Sequence, residues 1–149
     1  MITYYELGEM LEEIVNELLE EIKNELPEYL RRDPLRDPIE VLNGGVILLP
    51  DTKIHPQSDS LNKLYIMGEY HYQPRGLGRY IAVYYGSFIR VYAHISPERQ
   101  KEELRRIVRH EFEHHYESLA GDRSLEKKDA QDIMKYKERQ NKKSLRRQE

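Results

Sequence analysis

Ser96-Pro97-Glu98, then His110-Glu111-Phe112-Glu113-His114-His115, then Gly121: these three pieces of one stretch organise the reading of the whole chain. The opening is a helix start, with a hydroxyl at the N-cap, proline at the first helical position and a carboxylate at the positive end of the helix. Leu104, Ile107, Val108, Phe112 and Leu119 recur at helical period and make one apolar, core-facing stripe. Gly121 is the expected stop, because glycine accepts the left-handed conformation that closes many helices.

On such a helix, residues four apart are stacked about 6 Å from one another along the axis. His110 and His114 therefore face the same way, on one flank of the stripe, and Glu111 lies between them and the core. Two imidazoles so placed can converge on one Zn²⁺ at about 2.0–2.1 Å each, leaving room for a third ligand and a water. The glutamate beside the first histidine can take a proton from that water. The competing reading is a charged helix whose solvent face happens to carry these residues. His115 points about 100° away from His114 and cannot share the metal. It is expected at the core edge, satisfied by a backbone carbonyl.

Working outward, the N-terminal segment opens with Thr3-Tyr4-Tyr5-Glu6, the spacing of a capping box. Leu7, Leu11, Ile14, Val15, Leu18, Leu19 and Ile22 continue at helical period, so an amphipathic helix is expected over residues 4–25, ended or bent by Pro27. The doubled Arg-Asp-Pro at Arg32-Asp33-Pro34 and Arg36-Asp37-Pro38 is a turn-rich connector. Val46-Ile47-Leu48-Leu49, set between Gly44-Gly45 and Pro50, reads as a short buried strand, and residues 51–62 as a surface loop. Leu64 to Tyr72, Tyr80 to Tyr85 and Phe88 to His94 are strand candidates rich in Tyr, Ile and Val, with turns at Gly76-Leu77-Gly78 and Gly86-Ser87. They predict a three-stranded antiparallel meander. A last helix is expected from about Leu125 into the C-terminal tail. The fold class is α+β: an N-terminal helix, a small antiparallel sheet, the histidine-bearing helix and a C-terminal helix.

Composition narrows the function classes. With 149 residues, one domain with a real core is expected over residues 1–134, followed by a basic helical or disordered tail over 135–149. No stretch reaches the roughly 20 apolar residues of a membrane span, and no signal-peptide pattern opens the chain, so a cytoplasmic protein is expected. There is no cysteine, so any zinc must be held by histidine and carboxylate. Residues 1–40 carry twelve acidic and four basic side chains, a net of −8; residues 135–149 carry seven basic and two acidic, a net of +5. The basic tail could complement the acidic N-terminal helix. It could also meet nucleic acid, but no stacking-aromatic platform or nucleic-acid fold signature accompanies it, and nucleic acid is not expected as a partner. His71 and His94, in strand candidates, are expected to be structural. Tyr70 and Tyr72 are expected to pack the sheet, with a cleft-lining or oxyanion role as the alternative.

Leu42-Asn43-Gly44-Gly45-Val46, Tyr65-Ile66-Met67-Gly68-Glu69-Tyr70, Gly78-Arg79-Tyr80-Ile81, Tyr85-Gly86-Ser87-Phe88 and the run His110 to His115 together resemble the small bacterial minimal zincin-like metallopeptidases. The resemblance spans about residues 40–129, and the histidine run is its most specific part. It implies zinc binding and hydrolysis of peptide bonds in a peptide or protein substrate, with His110 and His114 as metal ligands and Glu111 as the general base. Family members often place glycine three residues after the second histidine and aspartate three further on; here those positions are Glu117 and Ala120. The third ligand is then expected at Asp122, where the chain can reverse after Gly121, with Glu126 and Glu117 as alternatives. Glu117 is displaced about 4.5 Å along the axis beyond His114, which suits orienting a histidine better than binding the metal. A zincin-fold module that binds metal or a partner without catalysis is the other reading of the same residues.

Overall fold

The computed structural model describes residues 1–25, 42, 44–59, 61–120, 132–140 and 142. Helix α1, Tyr4–Glu25, starts where the capping box places it. The Glu6 backbone N–H donates to Thr3 Oγ1 at 3.1 Å, and the Thr3 N–H donates back to Glu6 Oε1 at 3.2 Å. The long helix α3, Pro97–Ala120, begins as expected with the Arg99 N–H donating to Ser96 Oγ at 3.3 Å.

Between these helices lie five strands: β1 Gly45–Leu49, β2 Lys53–Ile54, β3 Tyr65–Ile66, β4 Gly68–Gln73 and β5 Gly78–Tyr84. The main sheet has the order β1-β5-β4, and β2 and β3 form a separate antiparallel pair. β4 and β5 are an antiparallel hairpin, with Gly68 opposite Val83 and Tyr70 opposite Ile81. β1, however, runs parallel to β5, from Gly45 against Tyr80 to Leu49 against Tyr84. The sheet is therefore mixed, not the antiparallel meander expected. The segment Phe88 to His94 supplies no strand: Tyr85–Tyr92 is helix α2, and His94 sits in the turn after it.

Tertiary contacts explain that exchange. A Cβ on Gly86 would lie 2.2 Å from Thr52 Oγ1 and 2.7 Å from Asp51 O, so only glycine lets the chain pass here. The Ser87 hydroxyl accepts from the Lys53 N–H at 2.8 Å and donates to the Lys53 carbonyl at 3.1 Å. Tyr85, Phe88 and Tyr92, at helical spacing, then turn onto the core. An eight-residue apolar run satisfies either period, and length cannot arbitrate.

One face of the sheet carries the core. Leu7, Leu11, Ile14 and Leu18 of α1 meet Leu104, Val108 and Phe112 of α3 over Ile81 and Val83 of β5. The other face holds a smaller cluster, Tyr80, Ala82 and Tyr84, packed with Ile47, Leu49 and Ile66. The acidic α1 finds cationic partners on α3, and most of the basic tail lies outside the described residues. Lys101 meets Glu13 at 2.8 Å, Arg105 bonds Glu17, and Arg109 reaches Glu21 at 3.2 Å. These three cations are four residues apart, so one row of α3 faces one row of α1. Residues 132–140 are helical, as expected for the C-terminal part, and are tied to the 59–64 loop. Tyr136 donates to the Asn62 carbonyl, and Asn62 Nδ2 donates to Gln140 Oε1 at 2.8 Å. Among the described residues, no helix is long and apolar enough to cross a membrane.

Candidate metal centre

The histidine run lies in the second half of α3, where that helix runs beside β4. Even-numbered residues of β4 point toward the helix, because side chains alternate along a strand. Gly68 comes first: a Cβ there would stand 3.2 Å from Ile107 Cγ2 and 3.4 Å from Glu111 Cγ. Its missing side chain lets α3 sit close to the strand at the level of Glu111. Tyr70 comes next, and its hydroxyl lies 2.8 Å from His115 Nδ1. Two strand residues advance about 6.8 Å and four helical residues about 6 Å, so the two elements stay in step.

With α3 held in this way, His110, Glu111 and His114 come together. One donor atom from each can be chosen so that all three lie within 4.8 Å of one another. The two imidazole rings are 4.7 Å apart and nearly perpendicular, at 83°. His114 and Glu111 are buried, with 8% and 7% of their surface exposed, and His110 is half-buried. Two imidazoles beside a carboxylate make a group that could hold a divalent metal ion. Among the described residues this is the group of metal-ligating side chains that converges, and Glu117 is not part of it. Asp122 and Glu126 lie outside the described residues.

Two members of the triad, His110 and Glu111, open on a cleft. A cavity of about 410 Å³ is lined by His110, Glu111 and Ile107 of α3, by Met67 and Gly68 at the edge of the sheet, and by Ile133 of the C-terminal segment. β4 is an edge strand. The Tyr84 N–H donates to the Met67 carbonyl at 2.9 Å, so antiparallel alternation turns the backbone groups of Gly68 and Tyr70 away from β5 toward the open edge. The polar backbone of Gly68 thus stands next to Glu111.

His115 does not behave as expected. It is wholly buried, and its partner is the Tyr70 hydroxyl in place of a backbone carbonyl. Arg79 Nη1 donates to the same hydroxyl at 2.8 Å and to Ser118 Oγ at 2.9 Å. A guanidinium can only donate, so the Tyr70 oxygen accepts from Arg79 while it bonds His115 Nδ1. Burial, with the Arg79 charge adding to it, pushes the His115 pKa down to about 4. Tyr70 is accordingly committed to this network and is not an oxyanion donor. No sequence signal marks the Tyr70–His115 bond, which joins residues 45 positions apart.

No protein-family model matches the chain, and no curated protein does. Among solved structures, a conserved hypothetical protein from Thermus thermophilus is 34% identical, over 74% of this chain and 96% of its own, with a TM-score of 0.44. The chain belongs to that protein's family. The relationship rests on the shared sequence over nearly the whole of the relative. The family so defined has a member described only as conserved and hypothetical, and the chemistry must be read from the site.

Proposed function

We propose that this protein is a zinc-dependent hydrolase of peptide bonds. His110 and His114 hold the metal, Glu111 is the general base, and Asp122 supplies the remaining protein ligand, with Glu126 as the alternative. The observation that carries the reading is the triad itself: two imidazoles and a buried carboxylate converging within 4.8 Å, with His110 and Glu111 on the wall of a cleft.

A bound zinc supplies Lewis acidity, lowering the pKa of water toward ~7 and polarising a carbonyl oxygen. The chain's own residues do the rest. Glu111, buried against Gly68, is held on the cleft side of α3 and accepts the proton that the attacking water loses, then returns it to the leaving amine. The outward-turned backbone of Gly68 and Tyr70 offers an extended peptide the hydrogen bonds of strand addition, which would lay its carbonyl beside Glu111. Ile107 and Ile133 add apolar surface for a substrate side chain in the same cleft.

The test is Glu111→Gln, which keeps the shape and removes the base. Zinc stoichiometry should match the native protein while hydrolysis of a peptide library falls by at least about 100-fold. Chelation should abolish native activity and added zinc restore it. Unchanged hydrolysis in Glu111→Gln overturns the mechanism. A native protein that binds zinc and cleaves no peptide is instead a metal-bearing module.

A further inference from the structure

We infer that Arg79, Tyr70 and His115 form a clamp that positions the metal-binding turn of α3, and that the third histidine of the run sets metal affinity without touching the metal. The inference rests on the metal-site reading above. His110 and His114 lie one turn apart in the second half of α3. Two ligands four residues apart share a metal only while the turn between and after them stays helical.

The clamp acts on that turn. The Tyr70 hydroxyl holds His115, and Arg79, which donates to that hydroxyl, also donates to Ser118 three residues further on. The sheet thus grips α3 at two points just beyond His114. Arg79 is itself fixed, lying 4.3 Å over the ring of Tyr72. All the gripping groups come from the β4–β5 hairpin, the most extensively paired part of the sheet, with six residue pairs in register. His115 is wholly buried and 2.8 Å from Tyr70, so it cannot rotate toward the cleft and compete with His114. Its Nε2 has no hydrogen-bond partner among the described residues, so Tyr70 is the side chain that orients the ring.

Tyr70→Phe removes one hydroxyl and both of its hydrogen bonds while keeping the ring. Leu11→Ala, in the core far from the clamp, is the control for general loss of stability. Each protein is titrated with Zn²⁺ against a chromophoric chelator and with Co²⁺ by its visible absorption, and thermal unfolding of the metal-free forms is recorded. Tyr70→Phe should bind Zn²⁺ about 10-fold more weakly and alter the Co²⁺ spectrum. Leu11→Ala should lose at least as much thermal stability and keep native affinity and spectrum. Should Tyr70→Phe not fold, Ser118→Ala removes one grip alone and should weaken binding in the same direction. Folded clamp variants with native Zn²⁺ affinity and Co²⁺ spectrum overturn the clamp. A native protein that binds neither ion overturns the metal-site reading and the clamp with it.

Discussion

β4 carries a polar network on each of its faces, and the two differ in what they touch. On the α3 face, Tyr70, His115, Arg79 and Ser118 are joined by bonds of 2.8–2.9 Å, with His115 fully buried. On the other face, Glu69 takes hydrogen bonds from Lys53 and, at 2.5 Å, from the Tyr84 hydroxyl, while His71 Nε2 lies 3.4 Å away. Each network has one histidine next to a strand tyrosine. Only the first joins the sheet to the helix that bears the metal triad. The second is a half-exposed charge cluster, with the side chains of Lys53 and Glu69 at 41% and 25% exposure. Water competes for those groups, so the pairing contributes less there than the same bonds do in the core. One strand thus braces the helix of the candidate metal site on one face, while Glu69 on the other holds the charge cluster at the rim of the cleft.

The largest test of this contrast is Gly68→Val, which forces atoms into the space now shared by Ile107 and Glu111. It should cost about 3 kcal/mol by overpacking and displace Glu111, read as a lower denaturation midpoint together with loss of hydrolysis. Next, Tyr70→Phe should cost about 1–3 kcal/mol, because Arg79 and His115 lose a shared partner in a buried site. Lys53→Met, on the opposite face, should cost less than about 1 kcal/mol and leave zinc affinity untouched. Equal losses from Tyr70→Phe and Lys53→Met would erase the distinction between the two faces.

The smallest effect is the pH dependence that Glu69 adds in the second network. Burial pushes the Glu69 carboxyl up, but hydrogen bonds from Lys53 and Tyr84 outweigh it and hold the group below its ordinary 4.5. A carboxyl with a lowered folded pKa contributes stability above its unfolded pKa and loses it as pH falls through the folded one. Denaturation midpoints of the native protein should therefore drop more steeply below about pH 4.5 than those of Glu69→Gln. Tyr84, pushed up to about 12 by burial and by Glu69, stays protonated throughout that range. Identical acid limbs in the two proteins would remove Glu69 from the account.

The two long helices were legible because their signals are local. The capping box at Thr3 and Glu6 and the Ser96-Pro97 start both stand where spacing puts them. The four buried stripe residues Leu104, Ile107, Val108 and Phe112 follow directly from period. The convergence of His110, Glu111 and His114 was equally legible, since helix geometry alone brings i and i+4 together. Strand partners were not. β1 pairs with β5 across more than 30 residues, and no local pattern names a parallel neighbour. Phe88 to His94 reads as a strand after a turn at Gly86-Ser87, and only the contact of Gly86 with Thr52 and the packing of Phe88 and Tyr92 make Tyr85–Tyr92 a helix. His115 was given a backbone partner because a neighbour 45 residues away leaves no trace in spacing.

What the sequence by itself determined is the helix that bears the triad, its start, its buried stripe and the common facing of His110 and His114, all consequences of backbone period acting over a few residues. The tertiary structure alone decided that the sheet is mixed, that Gly68 admits Glu111 to the cleft, and that His115 is turned from the site and tied to Tyr70. Those outcomes depend on which distant surfaces meet, and close packing gives each contact a meaning that no single residue carries alone.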